Sequence, residues 1–341
     1  MSTARTNPPR YSVVVPVYNE DETLPELARR LGAMLDALGE TWEVLVVDDA
    51  SQDDTFRLLL ELHQRDERFK PIRLARNFGH QAAISAGIDL ALGDAVVIID
   101  GDLQDPPEVV PELVARWREG YDVVYGVRIR REGESWFKRI TAALFYRLLQ
   151  RMAQTDVPLD AGDFRLVDRR VVDAFTLLRE RNRYVRGMFG WVGFNQIGVP
   201  YERDARYAGD RKYSYRKSLK LAVDGIVSFS TVPLRAVLAV GFVIALGSFL
   251  LGLFAIVSRI GGWYSTPGWA SLLLAIALLG GVQLILTGVV GLYVGRIADE
   301  VKARPLYVVR EAYGLADLRS EPPSSDRLSP SRSDRDLGAR P

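Results

Sequence analysis

The sequence predicts an α/β domain on a mainly parallel sheet, followed by an amphipathic interface helix and two transmembrane helices. Three observations carry this. Short apolar, β-branched runs alternate with helical patterns up to about residue 200. Two carboxylates, Asp100 and Asp102, stand directly after one of those runs. Two long segments in the C-terminal part of the chain carry almost no charge.

The strand candidates are residues 11–16, 42–47, 95–99 and 121–125. Continuous apolar runs of this kind suit strands buried on both faces, as in parallel sheets. Between the first two, Leu24, Leu27, Leu31, Met34, Leu35 and Leu38 recur every three or four residues and form one helix face. Phe56, Leu59, Leu60 and Leu62 open a second helix, which Asp53 or Ser51 is placed to cap near Thr55, with Asp53 favoured for that role. Strands that alternate with helices are joined by right-handed crossovers, which makes their sheet mainly parallel. This domain is expected to cover residues 11–205, after a disordered polar stretch at 1–10.

Bulk properties narrow the function. The 341 residues carry a net charge of +1, so no global field favours nucleic acid. Without cysteine the chain has no disulfide, thiolate metal site or thiol nucleophile. His63 and His80 are its only histidines, too few for a multi-histidine zinc site. Residues 1–10 lack the apolar core of a secretory signal, and a cytoplasmic location is expected for the first domain.

Residues 234–257 hold one charge, Arg235 at the start, and residues 269–294 hold Gln283 as their only strongly polar group. Both are long enough for a hydrocarbon layer of about 30 Å. Trp263, Tyr264 and Trp269 suit the membrane interface. Basic residues cluster before the first span (Arg203, Arg206, Arg211, Lys212, Arg216, Lys217, Lys220) and after the second (Arg296, Lys302, Arg304), whereas the connecting loop has Arg259 alone. This asymmetry places both termini in the cytoplasm and the connecting loop outside. Residues 206–232 read as a basic loop and an interface helix, 233–297 as the two spans and 298–318 as a cytoplasmic segment. The tail, 319–341, is rich in Ser, Pro, Arg and Asp and is expected to be disordered. Gly291 and Gly295, with Gly288 nearby, offer a small-residue face suited to bringing helices together, either within the hairpin or between the protomers of a homo-oligomer.

The chemistry concentrates where strands end. Open α/β sheets bind ligands beyond the C-terminal ends of their strands. Residues i and i+2 of an extended segment point the same way, so Asp100 and Asp102 can face one hard cation that in turn accepts phosphate oxygens. A solvated acidic turn is the alternative that the pattern alone leaves open. Tyr18 can stack on a flat base, and Asp49 can accept from a ring N–H.

Three motifs carry a resemblance: residues 13–20 (VVVPVYNE), residues 48–51 (DDAS) and residues 100–108 (DGDLQDPPE). With residues 76–79 (RNFG) and 162–165 (GDFR), they resemble inverting family 2 glycosyltransferases of the GT-A, Rossmann-like fold. More narrowly, the chain resembles polyprenyl-phosphate glycosyltransferases of the dolichol-phosphate mannose synthase and bacterial GtrB type, over about residues 10–305. The resemblance implies Pro16, Tyr18, Glu20, Asp49 and Arg76 around the nucleotide. It implies Asp100, Asp102 and Gln104 as ligands of Mg²⁺ or Mn²⁺, and Arg128 at the donor phosphates. Lys138, Arg139, Arg206 and Lys212 would meet the acceptor's phosphate. Asp163 would orient the acceptor or a basic partner, or act as a base. The implied reaction moves a hexose, with UDP-glucose the preferred donor, onto undecaprenyl phosphate at the lipid bilayer. Two positions depart from the pattern: Gly101 replaces a usual alanine and Ala50 a usual glycine; both swaps are small and are expected to be tolerated, although Ala50 is strained if its turn needs positive φ. Competing readings are a processive polysaccharide synthase and a non-catalytic nucleotide-sugar-binding scaffold.

Overall fold

A computed structural model describes residues 8–129, 161–181, 183–204, 232–261 and 268–315. Its strands are β1 (Tyr11–Val17), β2 (Trp42–Asp48), β3 (Phe69–Leu74), β4 (Ala95–Ile98), β5 (Val123–Arg128), β6 (Ala161–Asp168), β7 (Gln196–Tyr201) and β8 (Val309–Ala312). Its helices are α1 (Leu24–Ala37), α2 (Thr55–Arg65), α3 (His80–Leu90), α4 (Val110–Arg118), α5 (Arg169–Leu177), α6 (Val185–Val192), α7 (Val232–Ile260) and α8 (Trp269–Val301). The strands form one sheet in the order β7-β5-β6-β4-β1-β2-β3-β8. Pairings β1–β2, β1–β4, β2–β3 and β5–β7 are parallel; β6 and β8 run against their neighbours.

The order reverses at β1. From β1 the chain moves outward through β2 and β3, then returns to place β4 on the other side of β1. The crossovers at that reversal lie on opposite faces, which leaves a crevice beyond the ends of β1 and β4. Asp100 follows β4 into it.

Burial follows the pleat. Val13, Val15 and Val17 of β1 pack with α1, α2 and α4, while Val14 packs with α3 on the other face. The expected apolar stripe of α1 supplies Leu24, Leu27, Leu31, Met34 and Leu35 to the first layer, all buried. Each such side chain contributes about 1.5–3 kcal/mol of burial. On the second face Phe175 stacks on Phe189, joining α5 to α6. Gly87 lets α3 approach β1 closely, because a Cβ there would lie 2.2 Å from Val14 Cγ1.

Three expectations need correction. The strand expected at 121–125 occupies Val123–Arg128. Gly120 turns the chain with φ 103°, and Asp122 holds that turn by accepting from Asn195 N and Arg170. The domain expected at 11–205 is incomplete, because β8 from the 298–318 segment pairs antiparallel with β3 and closes that edge. The helix of the second expected span runs on to Val301, past residue 294. Helices α7 and α8 have 29 and 33 residues, and Leu278–Val301 is the stretch among the described residues that is long and apolar enough to cross a membrane. The interface helix expected within 206–232 lies outside the described residues, as do 1–7 and 319–341.

Candidate functional site

The loops that follow β1 and β2 are stitched to each other. Asn19 N donates to Ser51 Oγ, Gln52 N donates to Asn19 Oδ1, and Glu20 N donates to Thr55 Oγ1, each at 2.9 Å. Asp53 Oδ1 accepts from Thr55 N at 3.1 Å, although the N-cap position of α2 itself falls to Asp54, whose side chain makes no capping bond. Left-handed, non-glycine residues recur after three strands: Asn19 (φ 54°) after β1, Ala50 (φ 60°) after β2 and Leu103 (φ 57°) after β4. Strain of this kind persists only where the surroundings enforce it, and it gathers at functional sites.

Asp49 fastens a third loop. Its two carboxylate oxygens accept from Phe78 N and Gly79 N at 2.7 and 2.8 Å. Those bonds fix the entry to α3 and leave Asp49 3% exposed, so an incoming ring N–H would have to share an oxygen. Arg76 lies over the ring of Phe78, 4.1 Å from its centroid. Pro16 lies within buried β1, and Tyr18 and Glu20 are half-buried at its end.

At the mouth of the crevice His80, Asp100 and Asp163 offer three donor atoms within 4.8 Å of one another. His80 Nε2 is 3.3 Å from Asp163 Oδ2 and 3.4 Å from Asp100 Oδ1. Arg186 grips Asp163 through Nε and a terminal nitrogen, at 2.8 and 3.0 Å. Burial opposes ionisation of Asp163, but hydrogen bonds from His80 and Arg186 overcome it and hold the carboxyl well below the usual range. Asp100 has no such help. Burial, then the charges of Asp163, Asp105 and Asp102, push its carboxyl up to about 6 against the pull of His80. Its Oδ1 is buried without a hydrogen-bond partner. Burial likewise opposes charge on His80, yet the bond to Asp163 and the charges of Asp100 and Asp163 raise its pKa.

Asp105 organises a second cluster five residues on. It is fully buried and accepts from Tyr201 Oη. Arg128 and Arg203 each approach it to 3.5 Å, and Arg128 Nε also donates to Tyr201 Oη at 3.2 Å. A Cβ at Gly162 would fall 2.8 Å from Arg128, so glycine there leaves room for the guanidinium.

The expected residues thus divide. Asp100 and Asp163 come together; Asp102 is outside their group of three and turns Oδ1 back to accept from Gln104 N at 3.1 Å. Gln104 O in turn accepts from Asp204 N. Arg128 is held by Asp105 and Tyr201 beside the acidic loop. Lys138, Arg139, Arg206 and Lys212 lie outside the described residues. Sequence reasoning missed His80 and Arg186. His80 directly follows the residue 76–79 motif and is one of only two histidines, a usable signal. Arg186 had none, because arginine is common and its partner lies 23 residues away.

Comparison with known proteins places this geometry. Residues 12–176 match the model of Glycosyl transferase family 2. A bactoprenol glucosyl transferase from an SfII prophage of Shigella flexneri is 40% identical over 89% of this chain and 98% of its own length. The chain belongs to glycosyl transferase family 2. An uncharacterized family glycosyltransferase of Bacillus subtilis, YkcC, is 47% identical over 91% of this chain and 96% of its own. Among solved structures, glucosyl-3-phosphoglycerate synthase of Mycobacterium tuberculosis, with Mn²⁺, UDP-glucose and phosphoglyceric acid, is 20% identical, with TM-score 0.44 over 64% of this chain and 78% of that one. As a family member the chain is a glycosyltransferase, so the cluster at the end of β4 is its candidate active site.

Proposed function

We propose that the chain transfers a hexose, preferably from UDP-glucose, to a polyprenyl phosphate of the undecaprenyl class. Transfer inverts the anomeric centre and releases the nucleotide diphosphate at the cytoplasmic face of a bacterial membrane. The carrying observation is the buried Oδ1 of Asp100 at the topological switch point, which accepts no hydrogen bond and lies within 4.8 Å of ligand atoms of His80 and Asp163. A hard divalent cation fits that donor, and Asp100, with Asp102 and Gln104 from the same loop, would hold it. When bound, Mg²⁺ or Mn²⁺ would neutralise charge on the diphosphate.

The protein's own groups do the rest. Arg128 is directed at the donor phosphates, and Arg76, Pro16, Tyr18, Glu20 and Asp49 frame the nucleotide. The acceptor phosphate has a second pKa of about 6 and is an anion near neutral pH, so attack at the sugar needs no strong base. Asp163 agrees with this, because both of its oxygens are already engaged by Arg186 and His80. Lys138, Arg139, Arg206 and Lys212 are proposed to draw the second anion in, which makes catalysis chiefly positioning and charge compensation.

Helices α7 and α8 are proposed as two spans. At about 1.5 Å per residue, the 33 residues of α8 reach well beyond a hydrocarbon core. The pairing Leu74↔Val309 brings the chain back to the site end of β3 eight residues after α8 ends. That return supports an even number of crossings, with the catalytic domain and both termini on one side. Undecaprenyl phosphate, Mg²⁺ and a panel of UDP-sugars, incubated with the purified chain, test the reading. Release of UDP dependent on the lipid supports it; no release with any common UDP-sugar refutes it.

A further inference from the structure

Arg186 belongs to no motif and makes the most exacting contact in the site. Its guanidinium meets Asp163 in fork-to-fork geometry, two parallel bonds to two oxygens. Asp163 is 3% exposed on its side chain, so its orientation is set by these bonds and by His80. His80 then lies between Asp163 Oδ2, at 3.3 Å, and Asp100 Oδ1, at 3.4 Å, an oxygen that accepts no hydrogen bond. The helices bearing Arg186 and His80 are tied where they begin, because Val185 N at the start of α6 donates to Gln81 Oε1 at 2.8 Å. A chain of contacts therefore runs from Arg186 through Asp163 and His80 to Asp100.

We propose that Arg186 is a positioning residue that, by clamping Asp163 through both oxygens, holds His80 against Asp100 and so aims Asp100 Oδ1 at the divalent cation. It deepens the proposed function and rests on that reading for the identity of the substrates. It does not require Arg186 to touch either substrate. Groups that orient a metal ligand commonly change metal affinity or activity by about 10–100-fold when removed.

The sign of the effect separates positioning from simple charge. Removing a cation near a metal site strengthens metal binding by Coulomb's law, whereas loss of aim weakens it. Arg186→Lys keeps the charge and loses the fork, so it isolates geometry. The experiment uses the full-length protein in detergent and titrates Mn²⁺ without nucleotide, read by electron paramagnetic resonance. Arg186→Gln and Arg186→Lys are both expected to bind Mn²⁺ about tenfold more weakly. In the transfer assay kcat should drop at least tenfold while KM for polyprenyl phosphate stays within about threefold. Combined with Asp163→Asn, Arg186→Gln should lose little more than either single variant, since both break one unit.

Unchanged or tighter Mn²⁺ binding in Arg186→Lys overturns the proposal, as does a double variant whose losses multiply. If Arg186→Gln does not fold, the lysine variant carries the test alone. A wild-type protein that binds Mn²⁺ but transfers nothing to polyprenyl phosphate refutes the functional reading and leaves the Mn²⁺ arm to decide this one. A wild-type protein that binds no Mn²⁺ overturns this proposal, while lipid-dependent release of UDP by the same protein keeps the functional reading.

Discussion

Gly101 separates Asp100 from Asp102, and replacing it with alanine probes how tightly the acidic loop sits on β1. A Cβ there would lie 2.8 Å from Val17 Cγ1 and 3.2 Å from Pro16 O. Val17 is 3% exposed at the end of β1, and its branched side chain cannot swing aside as a long one would. Overpacking of this kind costs about 1–3 kcal/mol. For a domain of this size, that corresponds to a melting temperature lower by about 2–12 °C. The same displacement moves Asp100, so turnover should fall about 10²-fold, the loss that a shift of about 1 Å produces. Removing the obstacle tests the cause. Val17→Ala is destabilising by itself, but with Gly101→Ala present it should restore stability and turnover, giving a coupling of about 1–3 kcal/mol between the pair. Thermal melts and UDP release on the four proteins of the cycle measure both quantities. A Gly101→Ala protein that melts and turns over as wild type refutes the reasoning, and so does additive behaviour in the double variant.

Four further outcomes are expected. Ala50→Gly should stabilise the protein by about 0.5–1 kcal/mol, because it relieves a left-handed alanine at φ 60° at the expense of some unfolded-state entropy; a lower melting temperature would count against this. The carboxyl of Asp100, raised in the folded protein to about 6 from 3.8, stabilises at low pH and ceases to as pH rises through 6. In chelator, Asp100→Asn should therefore be more stable than wild type at pH 7.5, by up to about 3 kcal/mol, with the difference gone below about pH 4. Tyr307→Phe removes a 2.8 Å bond to Asp89, where Arg179 also pairs, and should cost about 1 kcal/mol in a chemical melt. In intact spheroplasts, protease should reach a cleavage site inserted at residues 262–267 and spare tags at both termini; cleavage of either tag contradicts the two-span reading.

Much of the fold was legible because its signals are local. The continuous Val-rich runs of β1, β2 and β4 mark buried strands, and the spacing of Leu24, Leu27, Leu31 and Leu35 marks the inner face of α1. The alternation of strand and helix already implied the parallel crossovers. The boundary of β5 was misplaced by two residues because Tyr121 is apolar enough to extend the run, while the turn at Gly120 and Asp122 depends on Asn195 and Arg170 far along the chain. β8 was missed for a similar reason: a strand of 4 residues after a long helix carries no period, and its reason for being extended is the open edge of β3.

At the site the same division holds. The sequence by itself determined that acidic residues follow β4 and that Asp49 and Asp53 follow β2, since strand ends and turn chemistry are written in neighbouring residues. Only the tertiary structure decided which carboxylates are already engaged by other groups. Asp49 is taken by the backbone of the loop before α3, Asp105 by Tyr201 and Arg128, and Asp163 by Arg186, while Asp100 Oδ1 accepts no hydrogen bond and faces His80 at 3.4 Å. A carboxylate's chemistry depends on what surrounds it in space, and those partners come from elements 23 to 96 residues away that meet only when the sheet closes.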